Sequence, residues 1–449
     1  MKRIIRPGLV GIFLFALFLQ GAIWGAEPAA HAAPLAQAPR PMPRVIARGT
    51  QETSSLRLPL SAAQRAARAP TATINVVYLA SGAHNIFGDT CLAWPTAAKT
   101  AFSYAASIWA AQIPSSVPIT IRACWTGLGS NILGYSSATS FHHDFTGGVA
   151  GYWYYSALAN ALAQTDLNDA DWIDWDNDGL DTDADIDIAI SNGIAWYYGT
   201  DGAVPARQYD LATIALHEIA HGLGFLGWVD YSGGQGSWGF GTGMPGIYDR
   251  FVENGAGQKI LNSNVFPNPS AALGAQLVST NLYFNGTNAR AANSGNRAKL
   301  FAPSTWQAGS SYSHLDETFS NTADALLTFS FGYQEVIHTP GAVTLGILKD
   351  LGWTAPTSAC YTLNLNASPS AGGKVSASPA PNCEGTKYLP QTNITLTATP
   401  NSGYNFYTWS GTVSSRAPTE SLTMDANKEI TAVFNSSSTQ FLFVPMVRR

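Results

Sequence analysis

The chain has 449 residues, of which 46% are hydrophobic and 12% are charged, and its formal net charge at pH 7 is −5. This length predicts two folded units rather than one, with enough apolar residues to bury a sizeable core. The weak negative charge and the absence of Lys/Arg blocks argue against nucleic acid as a partner.

Residues 1–32 have the pattern of a secretory signal peptide. Lys2, Arg3 and Arg6 precede a long apolar run, and the small residues Ala30 and Ala32 suit a cleavage site. A retained membrane anchor is the alternative, because the apolar run approaches the length that spans a bilayer. We expect a secreted, extracellular protein with no membrane span after signal removal.

Residues 33–70 are rich in Ala, Pro and Arg and have no sustained periodicity, so we interpret them as a linker or a short pro-segment. Folded structure is expected to begin near Ile74. There INVVYLA predicts a strand, TAAKTAFSYAASIWAAQI a helix, and VPITIRACW a second strand. The turn-rich stretch from Leu128 to Ser156 allows no strand to be placed.

The four cysteines form two pairs that are local in the sequence. In the oxidising compartment that export implies, disulfides are favoured over free thiols. We predict the disulfides Cys91–Cys124 and Cys360–Cys383. A thiolate of Cys91 on a metal is the alternative, but nothing in the surrounding FGDTCLAWP supports it.

Ten of the twenty aspartates lie between residues 166 and 187. Asp174, Asp176 and Asp178 alternate before Gly179, and Asp185 takes the twelfth place of the loop, which is close to a calcium-binding pattern. Flanking helices are not evident, so the segment either binds Ca²⁺ or is a solvated acidic loop. The isoleucines that follow, from residue 186 to 190, alternate with Asp and Ala and predict a half-buried strand.

The segment HEIAHGLGF lies in a predicted helix from Tyr209 to Leu223, which Asp210 can cap. On such a helix His217 and His221 project from one face about one turn apart and can bind a single metal ion. Glu218 then lies beside the metal and is suited to act as a general base. A degenerate copy that binds no metal is the alternative.

This segment resembles the zinc signature of the metzincin peptidases, H-E-x-x-H-x-x-G-x-x-H, through His217, Glu218, His221 and Gly224. Gly224 can end the helix in a left-handed conformation. The pattern departs at Gly227, where the family has its third ligand. The resemblance covers about residues 74–354 and implies a zincin fold, a bound Zn²⁺ and hydrolysis of peptide bonds by a zinc-activated water.

The leishmanolysin-like branch of that clan supplies its third histidine from far downstream, and SYSHLDE is a matching segment here. The resemblance therefore implies His314 as the third zinc ligand. Leu327 stands where the family has the methionine of its methionine turn. From the residues alone, the alternatives to His314 are His338, Asp230, Glu253 and a site completed by solvent.

From Thr354 the sequence becomes rich in Thr, Ser, Asn, Pro and Gly, with the short β-prone runs YTLNLNAS, KVSAS, NITLTATP, YNFYTWSG and EITAVF. It resembles the divergent internalin B-type bacterial repeat over about residues 360–435. The resemblance implies a small all-β accessory module at 359–436, for which a plain spacer is the preferred role. The tail at 437–449 is too short to span a bilayer.

We therefore predict an α+β fold, with a zincin-type, metzincin-like catalytic domain at 71–355 that has a mixed sheet and an active-site helix, followed by the all-β module. The predicted function is a zinc metalloendopeptidase acting on protein or peptide substrates. The alternative is a secreted adhesin or binding protein whose zinc site is structural or degenerate. Glu218 discriminates between them, because a structural site needs four protein ligands and no base.

Overall fold

The computed structural model describes seven segments of the chain: residues 44–60, 71–168, 184–354, 361–381, 386–388, 392–424 and 426–437. The expected signal peptide, three of the four expected calcium ligands and the expected Cys360–Cys383 disulfide lie outside them. The described residues form a mixed α+β region followed by an all-β module, as expected. Among these residues, no helix has both the length and the apolar character needed to cross a bilayer.

The strands of the α+β region are, in chain order, β1 Val45–Thr53, β2 Arg57–Leu58, β3 Ile74–Tyr78, β4 Ile119–Thr126, β5 Ile132–Ala138, β6 Phe141–His142, β7 Tyr154–Tyr155, β8 Ile186–Ser191, β9 Trp196–Tyr197, β10 Tyr209–Asp210, β11 Val229–Ser232, β12 Gln235–Trp238, β13 Val252–Asn254, β14 Leu282–Phe284, β15 Ala298–Leu300, β16 Ser330–Tyr333 and β17 Val336–Ile337. The helices are α1 Thr96–Ala110, α2 Ser156–Ala163, α3 Leu211–Gly222, α4 Ala271–Leu277, α5 Thr287–Ala292 and α6 Ala342–Leu351. Short 3-10 helices lie at Gly239–Gly241, Ile247–Phe251, Glu317–Phe319 and Ala325–Leu327.

The central sheet is mixed and has the strand order β16-β1-β5-β8-β4-β3. Strands β3, β4 and β8 run parallel to one another, whereas β5 runs antiparallel to both of its neighbours, β8 and β1. Helices α1 and α3 pack against each other, and the buried faces of both belong to the main core. The Trp109 indole N–H donates to the Leu216 carbonyl at 2.8 Å, which joins the two helices.

Strand β1 corrects the expected start of the folded region. We expected structure to begin near Ile74, but β1 is an interior strand of the central sheet. The interpretation of residues 33–70 as a linker or short pro-segment stays a prediction. Val45 and Ala47 are fully buried, while residues 51–53 at its other end are exposed. The pattern was missed because the apolar part of the strand is only about three residues long and is interrupted by Arg48 and Gly49.

Strand β8 was predicted as half-buried, and this was wrong: all six of its residues are buried. The polar member of its alternation, Asp187, lies inside because Arg122 on the neighbouring β4 is 3.7 Å away. The Ile86 backbone N–H also donates to the Asp187 carboxylate. Because such partners stabilise a buried carboxylate, the alternation of Ile with Asp does not show that one side of β8 faces solvent.

The Cys91–Cys124 disulfide is present as predicted. Both cysteines are fully buried in a small apolar cluster with Leu79, Tyr135 and Ala189. The disulfide therefore ties the loop after β3 to β4 on the sheet. The predicted helix in this region is α1, and the predicted strands are β3 and β4.

The C-terminal module has six strands: β18 Leu363–Ser368, β19 Gly373–Ser378, β20 Thr392–Pro400, β21 Tyr404–Gly411, β22 Thr419–Met424 and β23 Lys428–Ser436, with a 3-10 helix at Ser370–Gly372. They form two three-stranded sheets, of order β18-β23-β21 and β19-β20-β22. The core between them includes Leu396, Trp409 and Phe434. The sequence predicted these strands except β22, whose run TESLTM is short and polar.

Candidate metal centre

Helix α3 spans Leu211–Gly222, within the predicted range Tyr209 to Leu223. The Asp210 carboxylate caps it by accepting from the Thr213 backbone N–H at 3.0 Å. At the other end Gly224 has φ of +111°, a conformation that a β-carbon disfavours. The turn places the Phe225 carbonyl oxygen 2.7 Å from Nδ1 of His221, so it can orient this imidazole in the site.

The structure brings His217, His221 and His314 together. The Nε2 atoms of His217 and His221 are 3.0 Å apart, and those of His217 and His314 are 3.3 Å apart. Two nitrogens that each lie about 2.0–2.1 Å from a tetrahedral ion are about 3.3–3.4 Å apart. The cluster therefore has the spacing of a metal site, and these three side chains can hold a metal ion.

The other ring nitrogen of each histidine faces a backbone carbonyl. His217 Nδ1 lies 2.6 Å from the Leu326 oxygen, His221 Nδ1 2.7 Å from that of Phe225, and His314 Nδ1 2.7 Å from that of Ser310. A carbonyl can only accept, so each Nδ1 carries the proton and each Nε2 presents a lone pair. Three lone pairs that face one another fit a cation between them.

Burial keeps these imidazoles uncharged. All three histidines are fully buried, which lowers the pKa of His217 to about 4. The pKa values of His221 and His314 lie well below the usual range because burial and the neighbouring imidazole both oppose a positive charge. Neutral imidazoles are the form that binds a metal, so the donor set fits one.

Glu218 lies on the same helix with its carboxylate against β5. Neither of its oxygens accepts a hydrogen bond of good geometry, although the carboxylate is fully buried. Burial raises its pKa well above the usual range, and the Ala47 backbone N–H offsets this only in part. A β-carbon on Gly134 would lie 3.0 Å from Glu218 Oε1, so this glycine leaves room for the carboxylate.

His314 reaches the site through a contact at Gly227. A β-carbon at Gly227 would lie 2.0 Å from the Tyr312 ring, so this ring fills the space of the missing side chain. The Gly227 backbone N–H donates to Ser313 Oγ at 3.1 Å. The position at which the compact motif lacks its third ligand is therefore where the segment that carries His314 packs.

A buried carboxylate strengthens the same contact. Asp249 accepts from the Tyr312 hydroxyl at 3.0 Å, from the Trp228 N–H at 3.0 Å and from the Gly246 N–H at 2.9 Å. Burial raises the pKa of Asp249 to about 7, although these donors favour the ionised form. The sequence did not single out Asp249, because its partners come from three separate segments.

The three other candidates for the third ligand lie elsewhere. His338 Nε2 is 2.7 Å from the Asp210 carboxylate, at the opposite end of α3. Glu253 forms ion pairs with Lys259 and Arg297. Asp230 is an exposed residue of β11. Among the residues that the structure describes, His217, His221 and His314 are the one group whose ligand atoms converge.

The expected methionine-turn region borders the site. Leu327 is fully buried at the end of the 3-10 helix Ala325–Leu327. The preceding residue, Leu326, provides the carbonyl that orients His217. The segment therefore touches a candidate ligand through its backbone, a role that the sequence did not predict.

Of the expected calcium ligands, only Asp185 lies among the described residues. Its carboxylate accepts from the Thr120 N–H at 2.9 Å and from the side-chain amides of Asn160 at 2.9 Å and Asn168 at 3.2 Å. Burial raises its pKa to about 7. Calcium binding by Asp174, Asp176, Asp178 and Asp185 stays a prediction.

Two family models match parts of the chain. One, described as a divergent InlB B-repeat domain, matches residues 363–438 and confirms the expected nature of the C-terminal module. The other, described as SPBPB7E8-like, matches residues 177–234, which include α3. Neither covers half of the chain, and no curated protein and no solved structure matches it.

Proposed function

We propose that this chain is a secreted zinc-dependent endopeptidase. The observation that carries the proposal is the convergence of His217, His221 and His314 with Glu218 beside them on the same helix. Histidine nitrogens suit zinc, and a catalytic zinc site has three protein ligands and one open position. A structural zinc site is closed by four ligands, whereas this group of described side chains has three.

The residues have separate roles in this proposal. Zinc, when bound, supplies a Lewis acid that polarises a substrate carbonyl and lowers the pKa of water. The carbonyls of Leu326, Phe225 and Ser310 hold the three imidazoles in one tautomer and one orientation. Glu218 accepts a proton from the attacking water and passes it to the leaving amine.

The finer assignment is a zincin fold of the leishmanolysin-like branch of the metzincins. Four observations support it. Gly224 turns the chain at the end of α3, the chain then makes a long excursion, and His314 returns to the site. The segment Ala325–Leu327 lies against His217 in the place of a methionine turn.

Export from the cell is supported by two features. The N-terminal sequence has the charge and apolar pattern of a signal peptide. The disulfide Cys91–Cys124 is of a kind that persists in oxidising compartments. The substrates are proteins or peptides, and the C-terminal repeat module is an accessory to the catalytic domain.

The test is hydrolysis of casein by the purified full chain, before and after removal of metal with a chelator. We expect activity to be lost with the metal and restored by added Zn²⁺. Glu218→Gln is the matched control, because it keeps all three histidines but lacks the base. Hydrolysis that survives complete metal removal, or that Glu218→Gln leaves unchanged, would contradict the proposal.

A further inference from the structure

Strand β1 borders the candidate metal centre. The three histidines and Glu218 are fully buried, and so are Val45 and Ala47 of β1. A peptidase site must admit a polypeptide. In a site that is closed on all sides, a strand, helix or loop must therefore be able to move away. The contacts of β1 identify this strand as that element.

One side of β1 faces the general base. Ala47 pairs with Gly134 of β5, the glycine at which an added β-carbon would lie 3.0 Å from the Glu218 carboxylate. The Ala47 backbone N–H is directed at the same carboxylate. The strand thus crosses the position at which a reacting peptide group must approach Glu218.

The other side of β1 contacts the segments that hold the ligands. The Ile46 N–H donates at 2.7 Å to the carbonyl of Gly309, which precedes the residue whose carbonyl orients His314. The Arg48 N–H donates at 3.1 Å to the Phe329 carbonyl, at the start of β16. β1 therefore lies between β5, on the side of Glu218, and β16, on the side of the segments that hold the histidines.

The pairing of β1 is less regular than that of the inner strands. Its register with β5 shifts between Ala47 and Arg48, and its register with β16 shifts between Gly49 and Thr53. By contrast, β4 pairs with β8 over Ile121–Thr126 without a break. Interrupted ladders and an exposed end lower the cost of separating a strand from its sheet.

We propose that Val45–Thr53 is an internal inhibitory strand, which occupies the groove where an extended peptide substrate binds and must be displaced before the site opens. The inference rests on the proposed peptidase function. β1 is held to β5 and β16 by backbone pairing, which another extended peptide can form in its place. The segment 44–60 contains no cysteine, so the inhibition is steric and does not involve a thiolate on the metal.

The test compares two full-length variants that each add one arginine to β1. Ala47→Arg places a long charged side chain in a fully buried position and should expel the strand. Thr53→Arg makes the same addition at an exposed position of the same strand. Two rates are measured in the zinc-loaded proteins: removal of zinc by dipicolinic acid, and hydrolysis of casein.

We expect Ala47→Arg to raise both rates at least about tenfold over wild type, since over-packing destabilises a full site by this order. Thr53→Arg should leave both unchanged. A synthetic peptide of residues 44–54 should slow both rates in Ala47→Arg, whereas a scrambled peptide should not. Inhibition by the peptide also shows that the variant has kept its fold.

Arg48→Pro is the second variant, since it removes the N–H that donates to Phe329 without adding bulk toward the metal. Equal rates in wild type and in both displaced-strand variants, with native circular dichroism, would overturn the inhibitory role and make β1 a permanent wall of the site. If zinc is removed faster from the displaced-strand variants, but neither these variants nor the wild type hydrolyse casein, β1 covers the site and the peptidase proposal is overturned.

Discussion

Helix α3 has a buried histidine site at each end, and the two sites differ in what the ring nitrogens face. At its start, His338 Nε2 contacts the Asp210 carboxylate at 2.7 Å, and His338 Nδ1 lies 3.4 Å from the Tyr104 hydroxyl. At its end, each of three histidines has a carbonyl on Nδ1, while the Nε2 atoms face one another.

Burial does not distinguish the two sites, because all four histidines are fully buried. The two sites are distinguished by the partner of the second ring nitrogen of each histidine. Both nitrogens of His338 have protein partners, so this residue joins the helix cap to the end of β17. The three histidines of the other site keep one lone pair each for a ligand that the protein does not supply, which is the arrangement of a metal centre.

The largest effect is expected from Glu218→Gln. Loss of a general base lowers kcat by about 10²–10⁴-fold, and the three histidines should keep the metal bound. Metal content by mass spectrometry and casein hydrolysis check both parts. Loss of metal in this variant would assign Glu218 to another role.

The comparison itself is tested by removing one histidine from each site. His314→Ala should weaken zinc binding by more than about 100-fold, the upper range for losing the partner of a ligand. His338→Ala should keep zinc and nearly full activity, but removes one hydrogen-bond partner of the Asp210 carboxylate and should lower the free energy of unfolding by about 1–3 kcal/mol. If the two variants exchanged these phenotypes, the assignment of the sites would be wrong.

A pH effect is expected from the contact that positions His314. Burial raises the pKa of Asp249 to about 7, so the folded state holds a proton there that the unfolded state loses near pH 4. The free energy of unfolding should therefore fall by a few kcal/mol as the pH rises from about 4 to about 7. Urea unfolding of wild type and Asp249→Asn across this range measures it. Parallel pH curves for the two proteins would refute it.

The smallest effect is expected from Gly227→Ala. The added methyl group meets the Tyr312 ring, and over-packing of this kind costs about 1–3 kcal/mol. Because Tyr312 precedes His314 by two residues, zinc affinity should also fall, whereas the His338 site stays intact. Thermal unfolding and zinc titration report the two changes. An unchanged zinc affinity would show that the contact between Gly227 and Tyr312 does not affect the metal site.

The local features of the metal site could be predicted from the sequence, because they lie on one helix. The spacing of His217 and His221, the cap at Asp210 and the turn at Gly224 all follow from helical geometry. His314 needed a family resemblance, since the contact that brings it back depends on a ring that packs against Gly227.

The long-range features could not be predicted. β1 has too short an apolar run to be recognised, and its burial comes from β5 and β16, which lie about 90 and 280 residues away along the chain. β8 was misjudged because Asp187 is buried with a partner on β4. In both cases the tertiary partner, and not the local pattern, determines which side is buried.

The most direct test of the metal centre is X-ray absorption at the zinc edge on the purified full chain. The account predicts three histidine nitrogens at about 2.0–2.1 Å from the zinc, and two in His314→Ala. A wild-type spectrum with sulfur ligands, or one that His314→Ala leaves unchanged, would contradict the three-histidine site.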